Sequence, residues 1–226
     1  MTGYGQFCAI ARAHEVLGGR WTLLIARELL MGSRRFNDIR RGIPRISKTV
    51  LSERLQELVH IGAVTRTDGT HGPEYDLTPA GHELFDVIAA LGRWGQRWLG
   101  RQASQEDVDL DPLLHDMARR VEVKHLPAEP TVIRFALERQ PLRFLLLKAG
   151  EVSACGENPG FPEALTLRGK FAALVAWWRG DCDLASAKRA GLRLEGSRAA
   201  IRAFPSWFQL YLLAGIKPAA AIKGKS

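Results

Sequence analysis

Apolar residues recur at helical spacing within residues 34–59. Leu51, Leu55 and Leu58 stand at positions i, i+4 and i+7, which predicts a helix with one buried stripe. Ser47 precedes this run, and its hydroxyl is well suited to accept a free backbone N–H in the first turn of a helix. The pattern therefore predicts a helix that begins after Ser47 and packs its leucines against a core.

A shorter helix is predicted over residues 35–41, before the turn sequence Gly42-Ile43-Pro44. It must stop there, because proline has no N–H to donate and pushes the preceding residue out of the α region. Helix, tight turn and helix together form a predicted helix-turn-helix. The alternative is a pair of ordinary amphipathic helices whose charged face is only solvated.

Polar side chains of the second helix fall opposite its leucine stripe when each residue is rotated by about 100°. Such a face can form hydrogen bonds with the edges of bases in the major groove of DNA. The predicted base-reading residues are Lys48, Thr49, Ser52, Glu53 and Gln56.

A hairpin is predicted directly after this helix. Residues 63–66 and 74–77 read as short strands, and the loop 67–73 between them contains Asp-Gly and Gly-Pro, which favour turns. A hairpin in this place is typical of the wing of a winged-helix domain. The predicted wing residues are Arg66, Thr67, Asp68, Gly69, Thr70 and His71.

Residues 80–99 show a long apolar stripe on a predicted helix that Thr78 and Pro79 begin. Its length and two tryptophans exceed what a small domain needs for its own core, which indicates a dimer helix; the alternative is packing within one chain. A two-fold dimer would place two recognition helices about one DNA turn apart, over a pseudo-palindromic operator. The stripe consists of Leu84, Val87, Ile88, Leu91, Trp94 and Trp98.

The charge supports contact with phosphate. The chain carries a formal net charge of +8, and residues 34–66 contain eight basic and three acidic residues. Basic surface is often merely solvated, but here it coincides with the helix-turn-helix, which favours DNA. The predicted phosphate-contacting residues are Arg34, Arg35, Arg40, Arg41, Arg45 and Arg54.

The second half changes from helical to strand-rich patterns. Residues 101–129 read as a linker with a short helix over 111–121, and 130–226 as a separate domain. Short apolar runs separated by Gly, Pro and Asn predict one sheet, with helices covering a face, in an α+β domain. Strands are predicted over 131–137, 143–148, 151–156, 163–168 and 192–194, and helices over 170–178, 183–190 and 197–204.

Other function classes receive no support from the sequence. Three widely spaced cysteines favour reduced thiols in a cytoplasm, and neither a membrane span nor a secretory signal is seen. The six histidines show no metal-ligand spacing, and phosphate-binding loops and nucleophile elbows are missing. We therefore expect no enzyme activity, no cofactor and no metal.

Six segments, in order and spacing over residues 6–100, resemble HxlR-type winged-helix transcriptional regulators, which are relatives of the MarR class. The resemblance implies a dimeric DNA-binding regulator, by default a repressor, in the nucleoid of a prokaryotic cytoplasm. Several members of that family sense electrophiles or oxidants through a cysteine near the position of Cys8. In many of them that cysteine is followed by proline, whereas here Ala9 follows. The alternative to a redox sensor is that Cys8 is a small buried apolar residue. The segments are CAIARA from Cys8, LGGRWTLLI from Leu17, RFNDI from Arg35, ISKTVLSERLQEL from Ile46, EYDLTPAG from Glu74 and RWGQRW from Arg93.

Residues 130–208 resemble sterol carrier protein type 2-like domains, most clearly in the run DLASAKRAGLRLEGSRAAIRAF from Asp183. The resemblance implies a tunnel for an apolar small molecule, which would be an effector of the regulator. The alternative for the large side chains of this region is an ordinary core. Candidate lining residues are Phe171, Leu174, Trp177, Trp178 and Phe208.

The sequence thus predicts a mainly α winged helix-turn-helix domain over 1–100 and an α+β domain over 130–226. The predicted function is a homodimeric DNA-binding regulator. The competing interpretation is a carrier of hydrophobic ligands whose winged helix serves only dimerisation or protein interaction. A DNA-binding protein without any ligand is a third interpretation.

Overall fold

A computed structural model of the chain describes residues 3–70, 72–99, 108–217 and 219. By its internal contacts the chain divides into two compact units, Met1–Leu91 and Gly92–Ser226. The domain boundaries predicted at residues 100 and 130 remain predictions. His71, a predicted wing residue, lies outside the described residues. So do residues 101–107, at the start of the predicted linker.

The first unit consists of helices followed by a hairpin. The helix-turn-helix and the hairpin appear in the predicted order, and the hairpin strands pair antiparallel from Val64↔Leu77 to Gly69↔Gly72. The long helix after the hairpin begins in this unit, and its last turns belong to the second. The elements are α1 (Ala9–Leu17), α2 (Thr22–Leu30), α3 (Phe36–Gly42), α4 (Lys48–His60), β1 (Val64–Gly69), β2 (Gly72–Leu77) and α5 (Pro79–Trp98).

One apolar core holds the first unit together. Ile25 of α2 and Ile39 of α3 are fully buried, and the leucine stripe of α4 packs with them. Tyr75 of β2 and Val64 of β1 close the core on the hairpin side. Burial of each such side chain contributes about 1.5–3 kcal/mol, so α4 is held by its inner face and can leave its outer face polar.

The second unit is an α+β domain with one sheet, as predicted. Its strands lie in the order β5-β4-β3-β6-β7, with β3 and β6 parallel and the other neighbours antiparallel. The elements are α6 (Leu110–Arg119), β3 (Thr131–Leu137), β4 (Arg143–Lys148), β5 (Glu151–Cys155), β6 (Glu163–Gly169), α7 (Phe171–Trp178), α8 (Leu184–Arg189), β7 (Leu192–Gly196) and α9 (Arg198–Ala203).

Alternate residues of the sheet face the helices. In β3, Ile133, Phe135 and Leu137 are buried in the main core of the unit, together with Leu145 of β4 and Leu167 of β6. This two-residue period is what a pleated strand imposes, and it places one apolar face under the helices. The strand predictions for this half are confirmed to within two residues at each end.

A hydrogen-bonded network joins α6 to α7. The indole N–H of Trp178, which is 2% exposed, donates to Asp116 Oδ2 at 2.8 Å. The other carboxylate oxygen of Asp116 accepts from Arg120 Nε at 3.0 Å. A buried indole N–H needs an acceptor, so Asp116 allows Trp178 to pack in the core without an unsatisfied donor.

Gly169 ends β6 where two segments of backbone meet. Its φ is +92°, a left-handed conformation that favours glycine, and a Cβ at this position would overlap the carbonyl oxygen of Gly191. The amide of Lys170 also donates to Gly191 O at 3.2 Å. The close approach lets β7 begin beside β6 directly after α8.

Candidate nucleic-acid interface

Helix α4 is the best-supported part of the candidate interface. Leu51, Leu55 and Leu58 are 0–1% exposed, which confirms the predicted buried stripe. Ser47 caps the helix, since its Oγ accepts the amide of Val50 at 3.2 Å. Both local features predicted from the sequence are therefore present, and together they orient the helix.

The opposite face of α4 is open to solvent. Lys48, Thr49, Glu53 and Gln56 are exposed, and Ser52 is half-buried. These side chains could enter a groove of duplex DNA without disturbing the core beneath them. Their role in base reading remains a prediction.

The turn before α4 is built on buried isoleucines. Ile43 and Ile46 are 4% and 2% exposed, so the turn is anchored on both sides of Pro44. Helix α3 ends at Gly42, before the proline, as expected from its missing N–H. The turn is therefore rigid enough to hold the two helices in one arrangement.

A buried carboxylate supports the end of α3, and sequence reasoning missed it. Glu28 of α2 is 2% exposed and accepts hydrogen bonds from Arg27, with Nη2 at 2.6 Å. Gly42 lies so close that a Cβ on it would overlap this carboxylate. The GIP turn sequence indicated a glycine in the turn, but nothing local indicated a contact with a residue of α2.

Two of the predicted phosphate-contacting arginines hold the hairpin. Arg34 Nε lies 2.9 Å from Asp76 Oδ1, and Arg35 donates from Nε and Nη2 to Glu74 Oε1 at 3.2 and 3.1 Å. The amide of Tyr75 donates to Arg34 O at 2.8 Å. This backbone and side-chain pairing attaches the start of α3 to β2.

The other predicted arginines differ in their surroundings. Arg41 pairs with Asp38 at 2.7 Å but keeps 69% of its side chain exposed, and Arg45 is also exposed. Arg40 is half-buried. Phosphate contact by these residues remains a prediction, for which Arg41 has the most accessible position on α3.

Arg54 lies on the flank of α4, next to the buried stripe. Its guanidinium lies 2.5 Å from Glu57 Oε2, its side chain is 25% exposed, and it approaches Gly19 in the link between α1 and α2. Phosphate contact by Arg54 remains a prediction.

The hairpin differs from its prediction in length. Residues 67–69 belong to β1, and Gly72 and Pro73 to β2, rather than to a loop, because the ladder continues to Gly69↔Gly72. Gly72, at φ +103°, holds a left-handed conformation that favours glycine. The wing residues that the structure describes are all exposed: Arg66, Thr67, Asp68, Gly69 and Thr70.

The apolar stripe of α5 is only partly buried within the chain. Val87, Leu91, Trp94 and Trp98 are 44–53% exposed. By contrast, Leu84 is half-buried and packs against the core of the first unit. Ile88 is half-buried as well.

The five candidate ligand-lining residues pack as a core cluster. Trp177 lies 5.1 Å from Phe204 and Trp178 lies 6.0 Å from Phe208 between ring centroids. The 3₁₀ turn Phe204–Trp207, where Pro205 ends α9, brings these rings together. These five residues are at most 5% exposed: Phe171, Leu174, Trp177, Trp178 and Phe208. A tunnel between them would therefore require their side chains to rearrange. Their role in binding a ligand remains a prediction.

The cysteines lie apart from one another in the sequence. Cys8, Cys155 and Cys182 are each half-buried, and Cys8 lies just before α1. In the part of the chain that the structure describes, no three His, Cys, Asp or Glu side chains are grouped to hold a metal ion. Within the same residues, no helix has both the length and the apolar character to cross a membrane.

Comparisons with known proteins agree with this geometry. A family model described as HxlR-like helix-turn-helix matches residues 16–103. An HTH-type transcriptional regulator of Mycobacterium tuberculosis is 45% identical over 98 residues, covering 41% of this chain and 60% of the relative. YvaP, an HTH-type transcriptional regulator of Bacillus subtilis, is 38% identical over 91 residues, covering 39% of this chain and 84% of the relative.

Solved structures that are similar to this chain include the reduced form of the transcriptional regulator YodB from B. subtilis. It is 34% identical, with a TM-score of 0.36 over 40% of this chain and 93% of that chain. The match to the mycobacterial relatives spans 60% of their length, whereas it covers most of YvaP. From the family model and the 38% identity to YvaP over 84% of that relative, the chain belongs to the HxlR-like helix-turn-helix family.

Proposed function

We propose that this chain is a DNA-binding transcriptional regulator that acts on an operator through α4. The observation that carries the proposal is the division of this helix into two faces. Its leucines are buried, while Lys48, Thr49, Glu53 and Gln56 are exposed on a helix that is capped and braced. Amide, hydroxyl and ammonium groups on an exposed helix are the groups that read base edges in a major groove.

Phosphate contacts would come from the arginines around α3 and from the wing. Arg34 and Arg41 form ion pairs, but their side chains are 65% and 69% exposed. Exposed ion pairs contribute only about 0–1 kcal/mol, so exchange of the acid for a DNA phosphate costs little. Arg66 on β1, 54% exposed, is suited to the backbone or the minor groove.

The regulator would act as a homodimer on a pseudo-palindromic site. The apolar stripe of α5 leaves Val87 and Leu91 about half-exposed, which supports a partner helix over this face. Two-fold symmetry would pair the two recognition helices with two half-sites. Repression is the expected outcome by resemblance to the family alone.

We also propose that the second unit is a sterol carrier-like domain that binds an apolar effector. Support comes from its single sheet, covered on one face by helices that carry large aromatic side chains. The aromatic cluster around Trp177 and Phe204 is the region that a bound effector would rearrange.

The test of DNA binding is fluorescence anisotropy of the full chain on the DNA upstream of its own gene. Random duplex of equal length is the control, and several salt concentrations are used. Specific binding with a steep salt dependence is expected, because phosphate contacts release counterions. Weak binding that is equal on both duplexes and does not respond to salt would refute the regulator and leave a hydrophobic-ligand carrier.

The test of the dimer is sedimentation velocity of the Leu91→Asp variant. Leu91 is 53% exposed, so the substitution should leave the fold of a single chain intact. We expect the wild-type chain to sediment as a dimer and the variant as a monomer with lower operator affinity. A dimer that survives this change would place the interface elsewhere.

A further inference from the structure

A cleft of about 530 Å³ opens between α8 and α9 in the second unit. It is separate from the aromatic cluster discussed above, because none of the five residues of that cluster lines it. Apolar side chains and basic side chains share its walls. The apolar residues are Leu184, Ile201 and Pro205, and the basic residues are Lys188, Arg198 and Arg202.

Helical spacing directs these side chains to the same space. On α8, Leu184 and Lys188 stand at i and i+4, and on α9 Arg198 and Arg202 stand at i and i+4 with Ile201 between them. Residues with this spacing lie on one face of a helix. Each helix therefore brings apolar and cationic groups to the cleft together.

The three cations have no acidic partner. Lys188, Arg198 and Arg202 are exposed, and no acid among the described residues forms an ion pair with any of them. Two like charges at i and i+4 destabilise a helix, and α9 carries such a pair.

The acids nearest in sequence are engaged elsewhere. Asp181 lies 3.7 Å from Arg179, and Glu195 lies 2.8 Å from Arg168. Asp183 caps α8, where its Oδ1 accepts the amide of Ser186 at 2.7 Å. The positive charge of the cleft is thus not compensated by these neighbours.

We propose that this cleft binds a small organic anion whose carboxylate or phosphate contacts Lys188, Arg198 and Arg202 and whose apolar body lies on Leu184, Ile201 and Pro205. Cationic side chains form the strongest hydrogen bonds with carboxylate and phosphate oxygens. The cleft volume falls within the range of about 300–1,000 Å³ that is typical of small-molecule sites. A bare inorganic anion would leave the half-buried apolar wall uncovered.

The proposal commits to a free small molecule. The same chemistry could come from an anionic lipid within a bilayer, and the vesicle control below distinguishes the two sources. The site does not depend on DNA binding, since it lies wholly within the second unit. Its failure and the failure of the regulator proposal would therefore be seen in different experiments.

The first experiment is isothermal titration calorimetry of the full chain without DNA. The probes are decanoate and decyl phosphate below their micelle concentrations, with decanol as the neutral control and vesicles of phosphatidylglycerol as the membrane control. We expect one molecule of at least one anionic probe per chain, bound about tenfold or more tightly than decanol. No binding of either anionic probe, equal binding of decanol, or binding to vesicles alone would overturn the proposal.

The second experiment compares the removal of positive charge inside the cleft with its removal outside the cleft. Arg198→Gln/Arg202→Gln removes two cations from the cleft, and Arg193→Gln removes one exposed cation on β7 that does not line it. The double variant should lose about tenfold or more in affinity for the anionic probe, whereas Arg193→Gln should change it less than about twofold. Thermal unfolding would confirm that both variants fold. Equal affinity in a folded double variant would show that the anion binds elsewhere and would refute the site.

Discussion

Gly42, the last residue of α3, lies directly against the carboxylate of Glu28 in α2. The contact joins two helices of the first unit at the point where the chain turns toward α4. Arg27 completes it, with Nη2 2.6 Å from Glu28 Oε1. The position of α4 thus depends on a buried glycine at the end of the preceding helix.

Gly42→Ala should destabilise the first unit by about 1–3 kcal/mol, because a methyl group must displace a buried carboxylate. Urea unfolding followed by circular dichroism measures the effect. Gly95→Ala, in the part of α5 that belongs to the second unit, is the control for the effect of a Gly→Ala change alone, since a Cβ there meets only Leu99 Cδ1, at 3.8 Å. The control should gain up to about 1 kcal/mol from helix propensity. Equal effects of the two changes would show that the Glu28 contact is unimportant.

Arg41→Ala should weaken binding to operator and random DNA alike and should reduce the slope of log affinity against log salt by about one. The reason is that a phosphate contact carries charge but no sequence information. Anisotropy titrations at several salt concentrations measure both quantities. Arg193→Ala, a change of an exposed arginine in the second unit, is the control and should leave them unaltered. An unchanged salt slope in Arg41→Ala would remove this residue from the phosphate set.

Gln56→Ala should relax specificity at one base position and cost about 1–3 kcal/mol on the operator if the amide makes a bidentate contact. Binding to random duplex should be nearly unaffected, because the side chain is uncharged. Competition with operators that are mutated one position at a time locates the base. A loss of equal size on operator and random DNA would exclude Gln56 from base reading.

Asp116→Ala should destabilise the second unit by about 1–3 kcal/mol, since the buried indole N–H of Trp178 loses its acceptor. Asp116→Asn keeps an acceptor oxygen and should lose less. Urea unfolding monitored by tryptophan fluorescence compares the two variants. If both lost the same amount, the charge of Asp116, and not its bond to the indole, would be what stabilises α6 on α7.

We expect the Asp183 cap of α8 to contribute to the loss of the protein's stability at acid pH. Hydrogen bonds from the Ser186 side chain and then from its amide lower the pKa of Asp183 below its ordinary value of 3.8. A lowered folded-state pKa means that the stabilisation is present above the unfolded pKa and is lost as the pH falls through the folded one. Unfolding midpoints between about pH 5 and about pH 2 should therefore fall more steeply for wild type than for Asp183→Asn. Parallel curves would refute the contribution.

Local patterns predicted most elements because their causes are local. The leucine spacing of α4, the cap by Ser47 and the helix end before Pro44 each depend on a few neighbouring residues, and all are present. The alternation in β3 likewise predicted which residues the sheet buries, such as Phe135. The length of the wing strands was harder to predict, because it depends on pairing with the partner strand.

Contacts between distant residues could not be predicted in this way. Arg35 and Glu74 are 39 residues apart, and only the folded hairpin brings them together. A run of arginines predicts positive charge, but it does not tell which guanidinium pairs with an acid of the same chain. The same holds for Arg54, whose partner Glu57 is local but whose neighbour Gly19 is not.

The sheet of the second unit joins strands that are close in the sequence with strands that are far apart in it. This difference has a consequence for the order of folding. β3, β4 and β5 pair as sequence neighbours, whereas the parallel pairing of β3 with β6 closes a longer loop. Short loops close faster and at a lower entropic cost. The edge of β3 is therefore unpaired until β6 arrives, and until then it is an additional edge at which refolding chains would pair with one another at high protein concentration.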